Sequence, residues 1–153
     1  MKVHEYLKES HIILDLEPGE KRHVLEKFVS ALKKRGLISK EKVILDELLK
    51  REALGSTGLE KGIAVPHALI KKIKEPIVAL ALIKEGIDFK AVDQMPTYIV
   101  LVLLGDKDNP GFQLKLLAHI CRMVKETDFV ENVKTAETSQ DVWSILKDEE
   151  DKI

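Results

Sequence analysis

The sequence predicts an α/β domain, a mixed sheet lying between helical layers. Three observations carry that expectation. Short apolar runs of strand length alternate with longer segments whose apolar residues recur at helical spacing. Two of the runs, Ile77 to Ile83 and Thr97 to Leu104, show no polar alternation, which marks strands covered on both faces. The 153 residues are 44% apolar and 33% charged, the balance of a globular chain with a sizeable core rather than of a disordered one.

Taken in order, Ile12-Ile13-Leu14-Asp15-Leu16 is the first expected strand. Glu17-Pro18-Gly19-Glu20 then opens a helix, with Pro18 in the first turn, where its missing N–H leaves no bond unmade. Val24, Leu25, Phe28, Val29 and Leu32 follow at helical spacing, and Gly36 suits the position just past the last turn. Ser39 is the expected N-cap of a second helix that carries Val43, Leu45, Leu48 and Leu49 and runs to about Leu54. After the turn Gly55-Ser56-Thr57-Gly58, the run Gly62-Ile63-Ala64-Val65-Pro66 is the second strand. Proline holds the preceding residue extended and carries no N–H, so this strand is expected to stop at Pro66 with His67 at its end. Ile77 to Ile83 and Thr97 to Leu104 are the third and fourth strands. A polar turn, Gly105 to Gly111, leads into a helix to about Lys125. Shorter helices are expected around Phe129 to Thr135 and Asp141 to Lys147, with Asp148 to Ile153 frayed. No repeat, linker or low-complexity stretch divides the chain, so one domain over residues 1–153 is expected, its ordered core about 3–148.

Charge and composition exclude several function classes. The 25 basic and 26 acidic residues are interspersed and the net charge is -1, so no basic stripe points to nucleic acid. The clusters Lys33-Lys34-Arg35 and Lys71-Lys72-Ile73-Lys74 read as a solvated helix end and a loop. Cys121 is the single cysteine, which rules out an intrachain disulfide and fits a reducing compartment. The N-terminal residues show no apolar signal core, and no apolar run is longer than that of Tyr98 to Leu104, which falls far short of the roughly 20 residues that cross a bilayer. The expected setting is the cytoplasm, without membrane insertion.

The most informative stretch is Gly62-Ile63-Ala64-Val65-Pro66-His67, preceded by the glycine- and hydroxyl-bearing turn at Gly55 to Gly58. It sets an imidazole on a rigid support beside a loop of backbone amides. A neutral imidazole has a free lone pair near pH 7 and can take a phosphoryl group and pass it on. That chemistry needs positioning, positive charge and N–H donors around the phosphoryl oxygens. Arg51 offers a fork of donors, and the hydroxyls of Ser56 and Thr57 and the amides of Gly55 to Gly58 are further candidates.

The segment Arg51-Glu52-Ala53-Leu54-Gly55-Ser56-Thr57-Gly58-Leu59-Glu60-Lys61-Gly62-Ile63-Ala64-Val65-Pro66-His67-Ala68 resembles the signature of enzyme IIA domains of the fructose–mannitol class. These belong to the bacterial phosphoenolpyruvate-dependent sugar phosphotransferase system. The Arg-Glu and Gly-Ser-Thr-Gly wording is closest to the fructose and nitrogen-regulatory branches, and length and element order extend the resemblance over nearly the whole chain. It implies that His67 accepts a phosphoryl group from an HPr-type phosphocarrier protein. His67 would then pass the group to an enzyme IIB, or signal to a regulated target protein through its phosphorylation state. It implies that Arg51 lies beside His67 and that Ser56 and Thr57 line the hydroxyl-bearing loop. No cofactor or metal is implied. Ala68 stands where the family commonly has glycine. Gln113 stands where it usually has a second histidine; glutamine can donate a hydrogen bond to a phosphoryl oxygen but cannot carry charge. The docking of HPr-type partners implies a His67 in an apolar, partly exposed depression.

Taken alone, each of these residues has a plainer reading: a structural histidine, a surface arginine, an ordinary turn. The Gly55 to Gly58 turn matches neither the dinucleotide fingerprint nor the P-loop. His119 and Cys121, two apart on a helix, point in different directions and make no metal pair. The stretch Asp106-Lys107-Asp108-Asn109-Pro110-Gly111 fails as a calcium loop, with Pro110 at a ligand position. His4, His11 and His23 show no partner in the sequence, and Trp143 reads as a packing anchor.

Overall fold

In the computed structural model, which describes residues 2–153, the two longest strands pair antiparallel at the centre of a mixed sheet. They are β4 (Ile77–Ile87) and β5 (Thr97–Asp106). A short β1 (Ile12–Ile13) lies parallel to β4 on one side. On the other side β2 (Ile63–Ala64) and β3 (His67–Ile70) both run parallel to β5. Alternate residues of β4 and β5 feed two cores. Val78, Leu80, Leu82, Ile99, Leu101 and Leu103 face one layer, and Ala79, Ala81, Ile83, Val100, Val102 and Leu104 face the other. This explains the unbroken apolar runs, since both faces are covered.

The layer on the second face holds α1 (Lys21–Lys34) and α2 (Glu41–Ala53). The layer on the first holds α3 (Pro110–Glu126), α4 (Phe129–Lys134) and α5 (Ser139–Glu150). Helix α1 buries Val24, Leu25, Phe28, Val29 and Leu32, as their spacing predicts. It ends in a left-handed Gly36 (φ +75°), with Leu37 N–H on the Leu32 carbonyl and Gly36 N–H on that of Lys33.

Several local expectations are corrected. The first strand spans two residues, not five, although Leu16 N–H still reaches the Leu82 carbonyl. Helix α1 begins at Lys21, so Pro18 lies ahead of its first turn; Gly19, a weak helix former, separates them. The residue before α2 is Lys40, and Ser39 instead offers its carbonyl to Lys33 Nζ at 3.1 Å. The buried stripe of α2 is Ile44 and Leu48, while Val43 is exposed. Two 3-10 turns, Val3–Glu5 and Glu9–His11, are too short to leave a periodicity in the sequence.

The largest correction concerns the C-terminus. Helix α5 continues to Glu150, whose side chain is fully buried. Its carboxylate accepts Val3 N–H at 2.6 Å, His4 N–H at 2.9 Å, His4 Nδ1 at 2.7 Å and His119 Nε2 at 2.6 Å. His4 also meets the Trp143 ring edge-on at 5.8 Å. His4 and His119 are thus structural ligands of one carboxylate. His11 Nδ1 holds the Val78 carbonyl, and His23 lies 4.0 Å from Glu26.

Burial pushes the Glu150 carboxyl up, but the backbone N–H groups of His4 and Val3 and the imidazoles of His119 and His4 pull it below the usual glutamate range. Its stabilising contribution is therefore full above the unfolded pKa and fades as pH falls through the lower folded value. Glu150→Ala leaves those donors unpaired and should destabilise the protein by about 3 kcal/mol at neutral pH. Urea titrations at pH 7 and at about pH 3 should show that deficit shrinking in acid.

Candidate active site

The edge strand is where the site forms. The register offset is the same in β2 (Ile63 opposite Ile99) and in β3 (His67 opposite Leu103), so the two are one strand interrupted at Val65-Pro66. Pro66 still accepts Leu103 N–H at 3.0 Å but returns no N–H to β5. Val65 turns its N–H outward to the Thr57 carbonyl, at 3.0 Å. His67 is therefore the first residue of β3 rather than the end of a strand, because the chain resumes pairing as soon as the proline is past.

The imidazole is partly exposed, as the resemblance implies. Nδ1 lies 2.9 Å from the Val65 carbonyl, and Nε2 lies 3.2 Å from Arg51 Nε. A carbonyl only accepts and a guanidinium only donates. The two contacts together therefore put the proton on Nδ1 and leave the lone pair on Nε2. Arg51 comes from the last turn of α2, and its Nη1 also donates to the Gly55 carbonyl at 2.8 Å. Of the pairs expected from the sequence, this one is brought into direct contact.

Ser56 and Thr57 are nearby but already engaged. Ser56 Oγ donates to the Phe89 carbonyl at 2.6 Å and accepts Gly58 N–H at 3.0 Å. Thr57 is buried, and both its hydroxyl and its N–H donate to the Glu52 carboxylate. Gly55 N–H is taken by the Glu52 carbonyl. The amides of Gly55, Thr57 and Gly58 are thus internally bonded, and the loop steadies Arg51 through the Gly55 carbonyl rather than offering those N–H groups as a cradle. Gly58 approaches the neighbouring chain so closely that a Cβ there would sit 2.8 Å from Ala91 Cα.

Gln113, in the first turns of α3, is 7% exposed and packs over Gly105, where a Cβ would lie 2.4 Å from its Oε1. Gly105 is two residues beyond the His67 partner Leu103, on the same sheet face. Gln113 therefore stands one strand over from the imidazole, and its Oε1 has no hydrogen-bond partner among the described residues. Sequence reasoning missed Glu52, Lys21 and Phe89. Glu52 stands inside the motif with no role that its sequence position suggests; Lys21, 2.6 Å from Glu52, has no sequence signal at all. Among the described residues no group of three His, Cys, Asp or Glu side chains is placed to hold a metal ion.

The family model for the phosphoenolpyruvate-dependent sugar phosphotransferase system, EIIA 2, matches residues 5–149. The fructose-specific EIIABC component of the phosphotransferase system of Bacillus subtilis (strain 168) is 27% identical over 146 residues. That match covers 95% of this chain and 23% of the relative, so this chain spans less than a quarter of that protein's length. The crystal structure of nitrogen regulatory protein IIA-Ntr from Neisseria meningitidis superposes with a TM-score of 0.85 at 30% identity, covering 94% of this chain and 98% of that one. The IIA mannitol–phosphorylated IIB mannitol complex of Escherichia coli matches with a TM-score of 0.75 at 18% identity, covering 93% and 99%, a likeness of fold.

Gly58→Ala should move the 55–58 loop off Ala91 and cost about 1–3 kcal/mol, read as a lowered urea midpoint.

Proposed function

The chain belongs to the EIIA 2 family of the phosphoenolpyruvate-dependent sugar phosphotransferase system, and we propose that it carries the phosphoryl group on His67 Nε2. The carrying observation is the pairing of a lone pair on Nε2, fixed by the Val65 carbonyl behind the ring, with a guanidinium in front of it. The donor is an HPr-type phosphocarrier protein and the acceptor an enzyme IIB.

In the transfer, the donor's N–P bond breaks as the Nε2 lone pair bonds to phosphorus. Arg51 holds the attacking lone pair at rest. As the group arrives, its N–H donors move to the phosphoryl oxygens and offset their charge. The ring gains positive charge, which the Nδ1–H bond to Val65 disperses. The onward step reverses these changes. Gln113 supplies a neutral amide beside the site, and Ser56 and Thr57 order the loop whose Gly55 carbonyl steadies Arg51. Among the described residues no helix is long and apolar enough to cross a membrane.

Incubation with phosphoenolpyruvate, enzyme I and an HPr-type protein should add one phosphoryl group at His67, seen by mass spectrometry under alkaline conditions. His67→Ala should remain unmodified, and an unmodified wild type would end the proposal. Arg51→Ala should slow transfer about a hundredfold or more while leaving the fold intact.

The likeness to IIA-Ntr over 94% of the chain favours a second reading, a nitrogen-branch module whose partners sense the charge on His67. Pull-downs with His67→Ala and His67→Asp should then recover different partner sets. Identical sets would leave transport as the sole reading.

A further inference from the structure

A run of hydrogen bonds leads to the His67 ring from a carboxylate that the transfer chemistry never touches. Glu52, with a side chain only 6% exposed, accepts Thr57 N–H at 3.1 Å and the Thr57 hydroxyl, and pairs with Lys21 Nζ at 2.6 Å. The Thr57 carbonyl accepts Val65 N–H at 3.0 Å. The Val65 carbonyl is in turn the partner of His67 Nδ1 at 2.9 Å. A second tie reinforces the first. Lys21 sits 4.6 Å over the Phe89 ring, and the Phe89 carbonyl takes Ser56 Oγ at 2.6 Å. Both residues of the loop centre are thereby pinned, Thr57 from α2 and Ser56 from the segment after β4.

We propose that Glu52 is a positioning residue that sets the tautomer of His67 through Thr57 and Val65. The proposal rests on the reading of His67 as acceptor. A neutral imidazole carries its proton on either nitrogen, and the hydrogen bond made by one nitrogen decides which. Only the Nδ1–H form has a lone pair on Nε2, the nitrogen that faces Arg51. That form is favoured as long as the Val65 carbonyl points at Nδ1. Val65 lies on an edge strand and turns both its N–H and its carbonyl outward, so the N–H bond to Thr57 holds the residue from which that carbonyl projects, while the proline that follows makes one bond fewer to β5. The Thr57 hydroxyl in turn is anchored by Glu52. Adjacent on α2, Arg51 and Glu52 act on opposite sides of the ring, one facing Nε2 and one governing Nδ1.

The test measures the tautomer directly. Nitrogen-15 spectra of the unphosphorylated wild type, at a pH where the ring is neutral, should show His67 protonated on Nδ1. Glu52→Ala should populate both tautomers while keeping the native circular dichroism spectrum. Its transfer rate constant should fall about ten- to a hundredfold, with KM for the phosphorylated HPr-type donor unchanged. Glu52→Gln, whose amide oxygen still accepts Thr57 N–H and whose amide nitrogen can meet the hydroxyl, should restore the wild-type tautomer and most of the rate. A folded Glu52→Ala with the wild-type tautomer and rate would overturn the proposal. Should Glu52→Ala not fold, Thr57→Val removes only the hydroxyl bond and should still shift the tautomer balance; a wild-type balance there would overturn the proposal too. Failure of the wild type to become phosphorylated would strike the acceptor reading alone, because the tautomer comparison uses unmodified protein.

Discussion

A missing hydrogen organises the working edge of this fold. Pro66 accepts a bond from β5 but gives none back, so the edge strand loosens for two residues without losing its register. The chain on either side remains anchored to β5, and the freedom is confined to the peptide groups around Val65. There the backbone turns one N–H outward to the glycine-rich loop and one carbonyl toward the following imidazole. Had the interruption shifted the register by one residue, His67 would face the α1–α2 core instead of the open edge. The Pro66 nitrogen is on the same side as its carbonyl, facing β5, so the proline costs the sheet one ladder bond at this point.

The site sits across that edge. Its imidazole belongs to a strand residue of the face shared with α3, while its guanidinium comes from α2 in the opposite layer. Neither layer alone could build it. The ion pair of Lys21 and Glu52 adds a third element, since α1 contributes a cation that neutralises the carboxylate holding the loop. The loop's hydroxyls, which look like ligands for an incoming anion, are spent on internal order, and the positive charge is left to Arg51. This division suits a carrier. The group must be held well enough to form but loosely enough to leave, and a single guanidinium meets both needs better than a full cage of amides.

The sheet and its helices were legible because periodicity reports burial. The apolar runs of β4 and β5 and the stripe of α1 came out as expected. Positions set by single hydrogen bonds did not. The start of α1, the cap of α2 and the break of the edge strand each turn on one backbone group, which leaves little trace in composition. The end of α5 was misread for a related reason. A run of acidic residues looks solvated, yet Glu150 is buried because four donors from remote parts of the chain converge on it. His67 and Arg51 were legible only through a long mixed motif; Glu52 stood inside that motif, but its connection to Lys21 and Val65 exists only in three dimensions.

The Glu150 carboxylate has a topological consequence. By gripping the amides of Val3 and His4 it brings the start of the described chain against the end of α5. Any additional segment on either side would enter and leave at neighbouring points, as happens when a domain is inserted into a loop of a larger host. The same proximity makes the fold a natural candidate for circular permutation. A short bridge could join the two ends, and a new opening could be cut in an exposed turn with the sheet order untouched.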